Sequence, residues 1–281
     1  MKKVLLLGAT GFIGSHFQTA LTESGFKVFN PRIEIRNQME IEKAVYETKP
    51  DVIINATGVT GYPNVDWCED HPSETFGVNV AGSINVASVA KQFGVYMVQM
   101  SSGCVYTGYK KGGYTEDDEP NYTGSLYSRS RLYSEKILKE FPNILQLRVR
   151  IPITAKPHPK NLIDKLLKYK KIINIQNSCT VIEDFIPASI ELIKKEEVGI
   201  FNMTNIGSMD HKSIMEMYKE IVDPDYKIVL MSKAEQDELC KRRANCVMNT
   251  DKREKLGVHM PPLEESLKVI LEKYKKAMIR E

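Results

Sequence analysis

Val4-Leu5-Leu6-Leu7-Gly8-Ala9-Thr10-Gly11-Phe12-Ile13-Gly14 is the stretch on which the fold of this chain turns. A continuous apolar run of this kind is what a strand buried on both faces of a parallel sheet requires. The glycines follow it directly. Gly8 permits a tight turn, Gly11 lets a pyrophosphate approach the backbone, and Gly14 lets the next helix pack closely on the strand. That helix has apolar spacing at Phe12, Ile13, Phe17 and Leu21 and a stop at Gly25. Its first turn offers N–H groups and a partial positive charge to phosphates. Gly8, Thr10, Gly11, Phe12, Ile13 and Gly14 are therefore candidate cofactor-binding residues, with a ligand-free glycine turn as the alternative.

Outward from this turn, strands and helices alternate. Residues 27–29 and 52–54 read as strands, with a polar helix over 38–48 between them, closed by Pro50. A long helix is predicted over 74–93, a strand over 95–100, a helix over 125–140 and a strand over 144–149. This order implies an α/β, Rossmann-type doubly wound parallel sheet with helices on both faces. Beyond Pro152 the pattern loosens to a basic helix over 161–171, a helix over 186–195 and a strand over 199–203. The expected division is 1–152 plus 184–204 as the cofactor domain and 153–183 plus 205–281 as a smaller C-terminal substrate lobe.

Composition narrows the partners. Lys plus Arg is 39 and Asp plus Glu is 36, interspersed, so there is no nucleic-acid footprint. No apolar run approaches the length of a membrane span. The five cysteines are odd in number and form no CxxC pair, which argues against a disulfide framework or a structural zinc site and for a cytoplasmic protein without a metal. The apolar start runs into glycines rather than a small-residue cleavage site, so no signal peptide is expected.

The segment after the second strand, Asn30-Pro31-Arg32-Ile33-Glu34-Ile35-Arg36, distinguishes the dinucleotides. An acidic residue directly after that strand suits the ribose of NAD. Here none follows directly and two arginines flank the turn, which favours NADPH, with Arg32 as the phosphate ligand. Solvated surface charge is the alternative, and Glu34 is placed to turn inward instead. Asn55-Ala56-Thr57 puts small residues where a cofactor crosses the sheet. Asn79, polar on an apolar helical face, reads as a buried residue bonded to backbone.

Met100-Ser101-Ser102-Gly103-Cys104 ends the fourth strand, and Tyr127-Ser128-Arg129-Ser130-Arg131 opens a later helix. A strand-end hydroxyl, with a tyrosine and a cation four residues apart on one helix face, is a set that reduces a ketone. It resembles the extended short-chain dehydrogenase/reductases, which use Ser/Thr, Tyr and Lys in a YxxxK motif. Ser102 and Tyr127 match; Arg131 stands at the lysine position. Arginine supplies the positive charge but no proton relay.

Further stretches sharpen the likeness: Asn55 to Glu69, Pro120 to Ser125, Leu147 to Ile153, Asn174 to Ser178, Phe201 to Asn205 and Arg243 to Lys252. They resemble the plant-type nucleotide-rhamnose synthase/epimerase-reductases, relatives of dTDP-4-dehydrorhamnose reductase. The resemblance implies a UDP-4-keto-6-deoxy-hexose substrate, 3,5-epimerisation and NADPH-dependent 4-reduction to UDP-L-rhamnose. It implies Cys104 and Lys165 as the epimerising pair, and Val59, Thr60, Asn64, Ser102, Gly103, Cys104, Asn177, Arg243 and Asn245 as substrate contacts. It also implies a homodimer through helices 74–93 and 125–140, with Val78, Ala81, Ile84 and Val89 as apolar positions. A monofunctional dTDP/UDP-4-keto-rhamnose 4-reductase and a non-catalytic NADP-binding regulatory subunit remain the alternatives.

Overall fold

The computed structural model describes residues 1–278. The chain divides into two units: Met1–Val105, Tyr122–Arg148 and Ser189–Phe201 in the first, and Tyr106–Asn121, Val149–Ala188 and Asn202–Glu281 in the second. The expected boundary left 106–121 with the cofactor domain. The structure groups it with the second unit, where Tyr114 N–H donates to Val247 O at 2.9 Å and Asn249 N–H to Tyr114 O at 2.8 Å. That pairing is long-range in sequence and carries no local signal.

The first unit is built on a six-stranded sheet of order β2-β1-β3-β4-β5-β8. These strands are β1 (Lys3–Leu7), β2 (Lys27–Phe29), β3 (Val52–Asn55), β4 (Tyr96–Ser102), β5 (Ile144–Val149) and β8 (Gly199–Asn202). β1, β2, β3 and β4 pair in parallel, with Leu7 opposite Asn55 and Asn55 opposite Gln99. The helices are α1 (Phe12–Glu23), α2 (Gln38–Thr48), α3 (Trp67–Asp70), α4 (Pro72–Phe76), α5 (Ser83–Phe93) and α6 (Leu126–Leu138). Leu5, Leu7, Ile53 and Met97 of the sheet pack against Ile41, Val45, Val86 and Val89 of α2 and α5. The strand order reverses direction at β1 and β3, and ligands of open α/β sheets bind outside the strand ends at such a point.

The single helix expected over 74–93 is instead α4, a π-helical turn over Gly77–Gly82, and α5. Val89 is wholly buried in the sheet core, which removes it from the expected dimer face.

The second unit holds the short parallel pair β6 (Pro152–Ile153) and β7 (Thr180–Val181), with α7 (Leu162–Lys168), α9 (His211–Ile221), α10 (Lys233–Arg242), α11 (Asp251–Lys255) and α12 (Leu263–Met278). α8 (Ile182–Lys194) leads from the second unit into the first. Leu162, Ile163 and Leu166 of α7 pack with Ile214, Met215 and Tyr218 of α9 and Leu267, Ile270 and Tyr274 of α12. α7 is shorter than the expected 161–171 helix, because its apolar face ends at Leu166 and Tyr169 turns extended. Among the described residues, no helix is long and apolar enough to cross a membrane, and all five cysteines are free thiols.

Candidate active site

At the end of β1, Gly8 adopts φ +79°, and Gly11 N–H donates to Gly8 O at 2.9 Å. A Cβ on Gly8 would stand 2.8 Å from Thr57 N, and one on Gly14 would stand 2.1 Å from Gly8 O. Both positions therefore exclude a side chain. Gly11 is the N-cap of α1 and supplies no side-chain cap, so the first-turn N–H groups are those a phosphate can take. Thr10 is exposed, while Phe12 and Ile13 are half-buried in that turn.

β3 delivers the neighbouring turn. Asn55 is wholly buried: its amide donates to Gln99 Oε1 at 2.9 Å, and its carbonyl accepts from Thr57 N–H and hydroxyl at 3.2 and 2.5 Å. Its side chain thus shapes the turn. Ala56 N–H donates to Leu7 O at 3.0 Å, tying the ends of β1 and β3. After β2, Arg36 lies 2.7 Å from Glu34, and that bond holds the Glu34 carboxyl below its ordinary range. Glu34 and Arg36 neutralise each other, leaving Arg32 as the exposed cation of this turn.

β4 ends in Ser102, almost wholly buried, whose hydroxyl accepts from Cys104 N–H at 3.2 Å. Gly103 is buried and Cys104 half-buried. Tyr127 is the second residue of α6. The Arg131 guanidinium carbon lies 5.5 Å from its ring centroid, and a Cβ on Gly58 would stand 2.1 Å from Arg131 Nη2. Arg131 Nη1 donates to Met100 O at 3.4 Å, while its Nε is buried without a hydrogen-bond partner. Arg131 therefore links the end of β4, the turn after β3 and the tyrosine of α6. An orphaned buried donor beside Gly58, whose missing Cβ leaves room for the Arg131 guanidinium, fits a bound cofactor.

Two residues hold this arrangement that the sequence reading left without a task. Asn79, in the π-helical turn, accepts from Val59 N–H at 2.9 Å and donates to Val59 O and Ser130 Oγ, each at 3.0 Å. Ser130 in turn donates to Tyr127 O at 2.7 Å. Glu69 of α3 accepts from Leu126 N–H at 2.5 Å and lies 3.3 Å from Arg129 Nη2, so a carboxylate sits at the positive end of α6. The sequence offered one signal for each: a polar residue on an apolar face, and an acid within a recognisable block. Thr60 is half-buried, and Asn64 Oδ1 accepts from Asp66 N–H at 2.8 Å within the same loop.

In the second unit, Lys165 is half-buried on α7. The neighbouring Asp164 accepts from Tyr274 Oη at 3.0 Å and from His158 N–H at 3.2 Å. Burial first, then Lys160 and Lys165, pulls His158 below its ordinary value. Asn177 and Asn245, expected as substrate contacts, are both buried. Asn177 is wholly buried; it accepts from Arg150 Nη2 and Cys246 N–H and donates to Ile175 O and Asn245 Oδ1. Asn245 Nδ2 donates to Arg243 O at 3.0 Å and to Cys240 Sγ at 3.3 Å. Their amides brace the segment that carries Arg243, because burial makes them bond to each other, to the backbone and to the Arg150 and Cys240 side chains. Arg243 itself is half-buried beyond the end of α10.

A family model described as RmlD substrate binding domain matches residues 1–276. The chain belongs to the RmlD substrate binding domain family. It is 34% identical over 98% of its length to the bifunctional dTDP-4-dehydrorhamnose 3,5-epimerase/dTDP-4-dehydrorhamnose reductase of Arabidopsis thaliana, covering 95% of that protein. It is 36% identical over 94% of its length to a trifunctional UDP-glucose 4,6-dehydratase/UDP-4-keto-6-deoxy-D-glucose 3,5-epimerase/UDP-4-keto-L-rhamnose-reductase of the same plant, but spans only 41% of that longer protein. The crystal structure of a UDP-rhamnose synthase from Acanthamoeba polyphaga mimivirus superposes with a TM-score of 0.92 at 29% identity, covering 97% of this chain and 99% of that one.

Proposed function

We propose that this family member is a bifunctional enzyme that converts UDP-4-keto-6-deoxy-D-glucose to UDP-L-rhamnose, by 3,5-epimerisation and then NADPH-dependent 4-reduction. The observation that carries the reading is Tyr127 and Arg131, one turn apart on α6, with Arg131 against Gly58 beside the Gly8–Gly14 turn. The bifunctional plant epimerase/reductase and the mimivirus UDP-rhamnose synthase, each matched over nearly the whole chain, support the same chemistry.

NADPH, when bound, supplies the hydride that reaches C4. Gly8, Thr10, Gly11, Phe12, Ile13 and Gly14 would hold its pyrophosphate, Asn55, Ala56 and Thr57 would line its path, and Arg32 would take its 2′-phosphate. Tyr127 Oη gives its proton to O4 as that oxygen becomes negative, and Ser102 Oγ donates a hydrogen bond to the same atom. Arg131 stabilises the negative phenolate that remains and offers donors to the ribose.

The C4 ketone also acidifies the C3 and C5 protons, since either carbanion is an enolate. Inversion needs one group to remove a proton and another to return it on the opposite face. Cys104 and Lys165 take these roles. Val59, Thr60, Asn64, Ser102, Gly103 and Cys104 line the sugar, and Arg243 meets the diphosphate, with Asn177 and Asn245 bracing it. The protein acts in the cytoplasm as a homodimer. The proposed contact face is that of residues 74–93 and 125–140, with Val78, Ala81 and Ile84, none of them fully buried, and the exposed Tyr133, stacked on Phe76 at 6.1 Å. A monomer in light scattering at micromolar concentration rejects the dimer.

The test of the main reading uses the keto sugar in deuterated water, followed by NMR. Without NADPH the wild type washes deuterium into C3 and C5; with NADPH it yields UDP-L-rhamnose. Cys104→Ser loses exchange at one or both carbons yet still reduces a sugar already epimerised. Wild-type exchange in both Cys104→Ser and Lys165→Ala reduces the reading to a 4-reductase. Absence of any turnover in the wild type makes the protein an NADP-binding subunit, the alternative that arginine at the lysine position favours.

A further inference from the structure

Arg131 and Glu135 sit one turn apart on α6, the spacing at which opposite charges on a helix meet. Here they do not. Both are buried, yet among the described residues Arg131 makes no ion pair. The Glu135 carboxylate is held from the other side by Arg148 of β5. Arg148 Nε donates to Glu135 Oε2 at 2.8 Å and Nη2 to Oε1 at 2.7 Å, the parallel pair that a guanidinium fork makes with a carboxylate. Ser101 Oγ adds a bond to Oε2 at 3.1 Å. The two side chains are 0% and 1% exposed, so water is no substitute partner for either.

A carboxylate this deep must be compensated. Two cations flank it on its own helix. Lys139, one turn on, is exposed to water; Arg131, one turn back, is buried with its Nε orphaned. Were Arg148 absent, the low-dielectric attraction between Glu135 and Arg131 would have no competitor. An Arg131 drawn towards Glu135 leaves the Tyr127 ring and the Gly58 backbone.

We infer that Arg148 is a positioning residue: by occupying Glu135, it keeps the Arg131 guanidinium available to Tyr127 and the cofactor. The inference rests on the reading that Arg131 serves those two partners. It assigns opposite consequences to the two halves of one ion pair. Loss of the carboxylate leaves Arg131 where it is; loss of the arginine moves it. A pair that merely braced α6 against β5 would be damaged equally from either side.

The experiment measures NADPH affinity by fluorescence titration, together with kcat and sugar KM for 4-reduction, and checks folding by near-UV circular dichroism. Arg148→Met weakens NADPH and lowers kcat, each by about tenfold or more, with sugar KM within about threefold. Glu135→Gln, and the double variant Arg148→Met/Glu135→Gln, keep NADPH affinity within about threefold of wild type. In an Arg131→Met background, Arg148→Met has no further effect. An equal loss in Glu135→Gln overturns the inference, as does an equal added loss in the Arg131→Met background. If Arg148→Met does not fold, Glu135→Gln and the double variant decide alone, and a loss of about tenfold in either overturns it. An Arg131→Met variant with normal NADPH affinity and reduction is a separate result: it removes the reading of Arg131 beneath the inference, and the inference with it.

Discussion

Arg253, in the second unit, donates to Val258 O at 2.8 Å and to Thr204 O at 3.1 Å, and lies 2.7 Å from the Glu254 carboxylate. Arg131, in the first, has one long bond to Met100 O at 3.4 Å and an aromatic ring at 5.5 Å. Both are buried. Burying a guanidinium costs several kcal/mol unless its donors and charge are matched, so the two sites answer different demands. Arg253 has an ion pair and two backbone carbonyls within the chain, although its Nε, like that of Arg131, has no hydrogen-bond partner, and it ties α11 to Thr204, two residues beyond β8. Arg131 is matched by little the chain supplies, and the proposed reading gives it a nucleotide and a phenolate as partners. The two differ in the carboxylate beside Arg253 and the second carbonyl it reaches, neither of which Arg131 has among the described residues.

On the proposed reading Tyr127 is the proton donor that Arg131 serves, so its loss has the largest expected effect. Tyr127→Phe lowers the reduction rate by about 10²–10⁴-fold while NADPH still binds, measured by single-turnover reduction of the keto sugar. Near-normal reduction would show that another acid serves O4. The two arginines then separate by substitution. Arg253→Met destabilises the fold by about 2–4 kcal/mol in urea unfolding, because backbone carbonyls and Glu254 lose their partner. Arg131→Met leaves unfolding within about 1 kcal/mol of wild type, or stabilises it, and weakens NADPH instead. Equal destabilisation by both breaks the contrast.

Arg32→Ala sharpens it at an exposed position. It weakens NADPH by about tenfold or more and leaves NADH unchanged in parallel titrations, because a surface cation contributes chiefly through the phosphate it meets. Equal binding of both cofactors by the wild type would remove the basis for the NADPH preference.

The smallest effect concerns His211, at the start of α9, which burial and then Arg150 push down to about 4. An unfolded histidine takes up its proton near pH 6.5, whereas the folded one stays neutral until about pH 4. The unfolded chain therefore binds more protons between these values, and stability falls as pH falls through that window. His211→Gln narrows the difference in Tm between pH 6.5 and pH 4.5; an unchanged difference assigns the acid limb to other groups.

The glycine turn, the alternation of strand and helix, the strand-end Ser102 and the four-residue step from Tyr127 to Arg131 were legible from the sequence, because each is set by local spacing or by position at the end of an element. Helix period, strand period and the need for small residues at a tight turn are local constraints, and they write themselves into residue order. The break in the 74–93 helix was not legible, since Asn79 reaches Val59 and Ser130, 20 and 51 residues away. Nor was the fate of Asn177 and Asn245, whose mutual bond at 3.0 Å spans 68 residues. Sequence by itself determined which chemistry-bearing residues exist and which helix or strand end presents them. Tertiary structure decided which of them are already satisfied. Arg36 is answered by Glu34 and Arg148 by Glu135. Arg131 has one carbonyl and an aromatic ring but, among the described residues, no carboxylate. Hydrogen-bond and ion-pair satisfaction is a property of neighbours in space, and in a folded chain those neighbours come from anywhere along it.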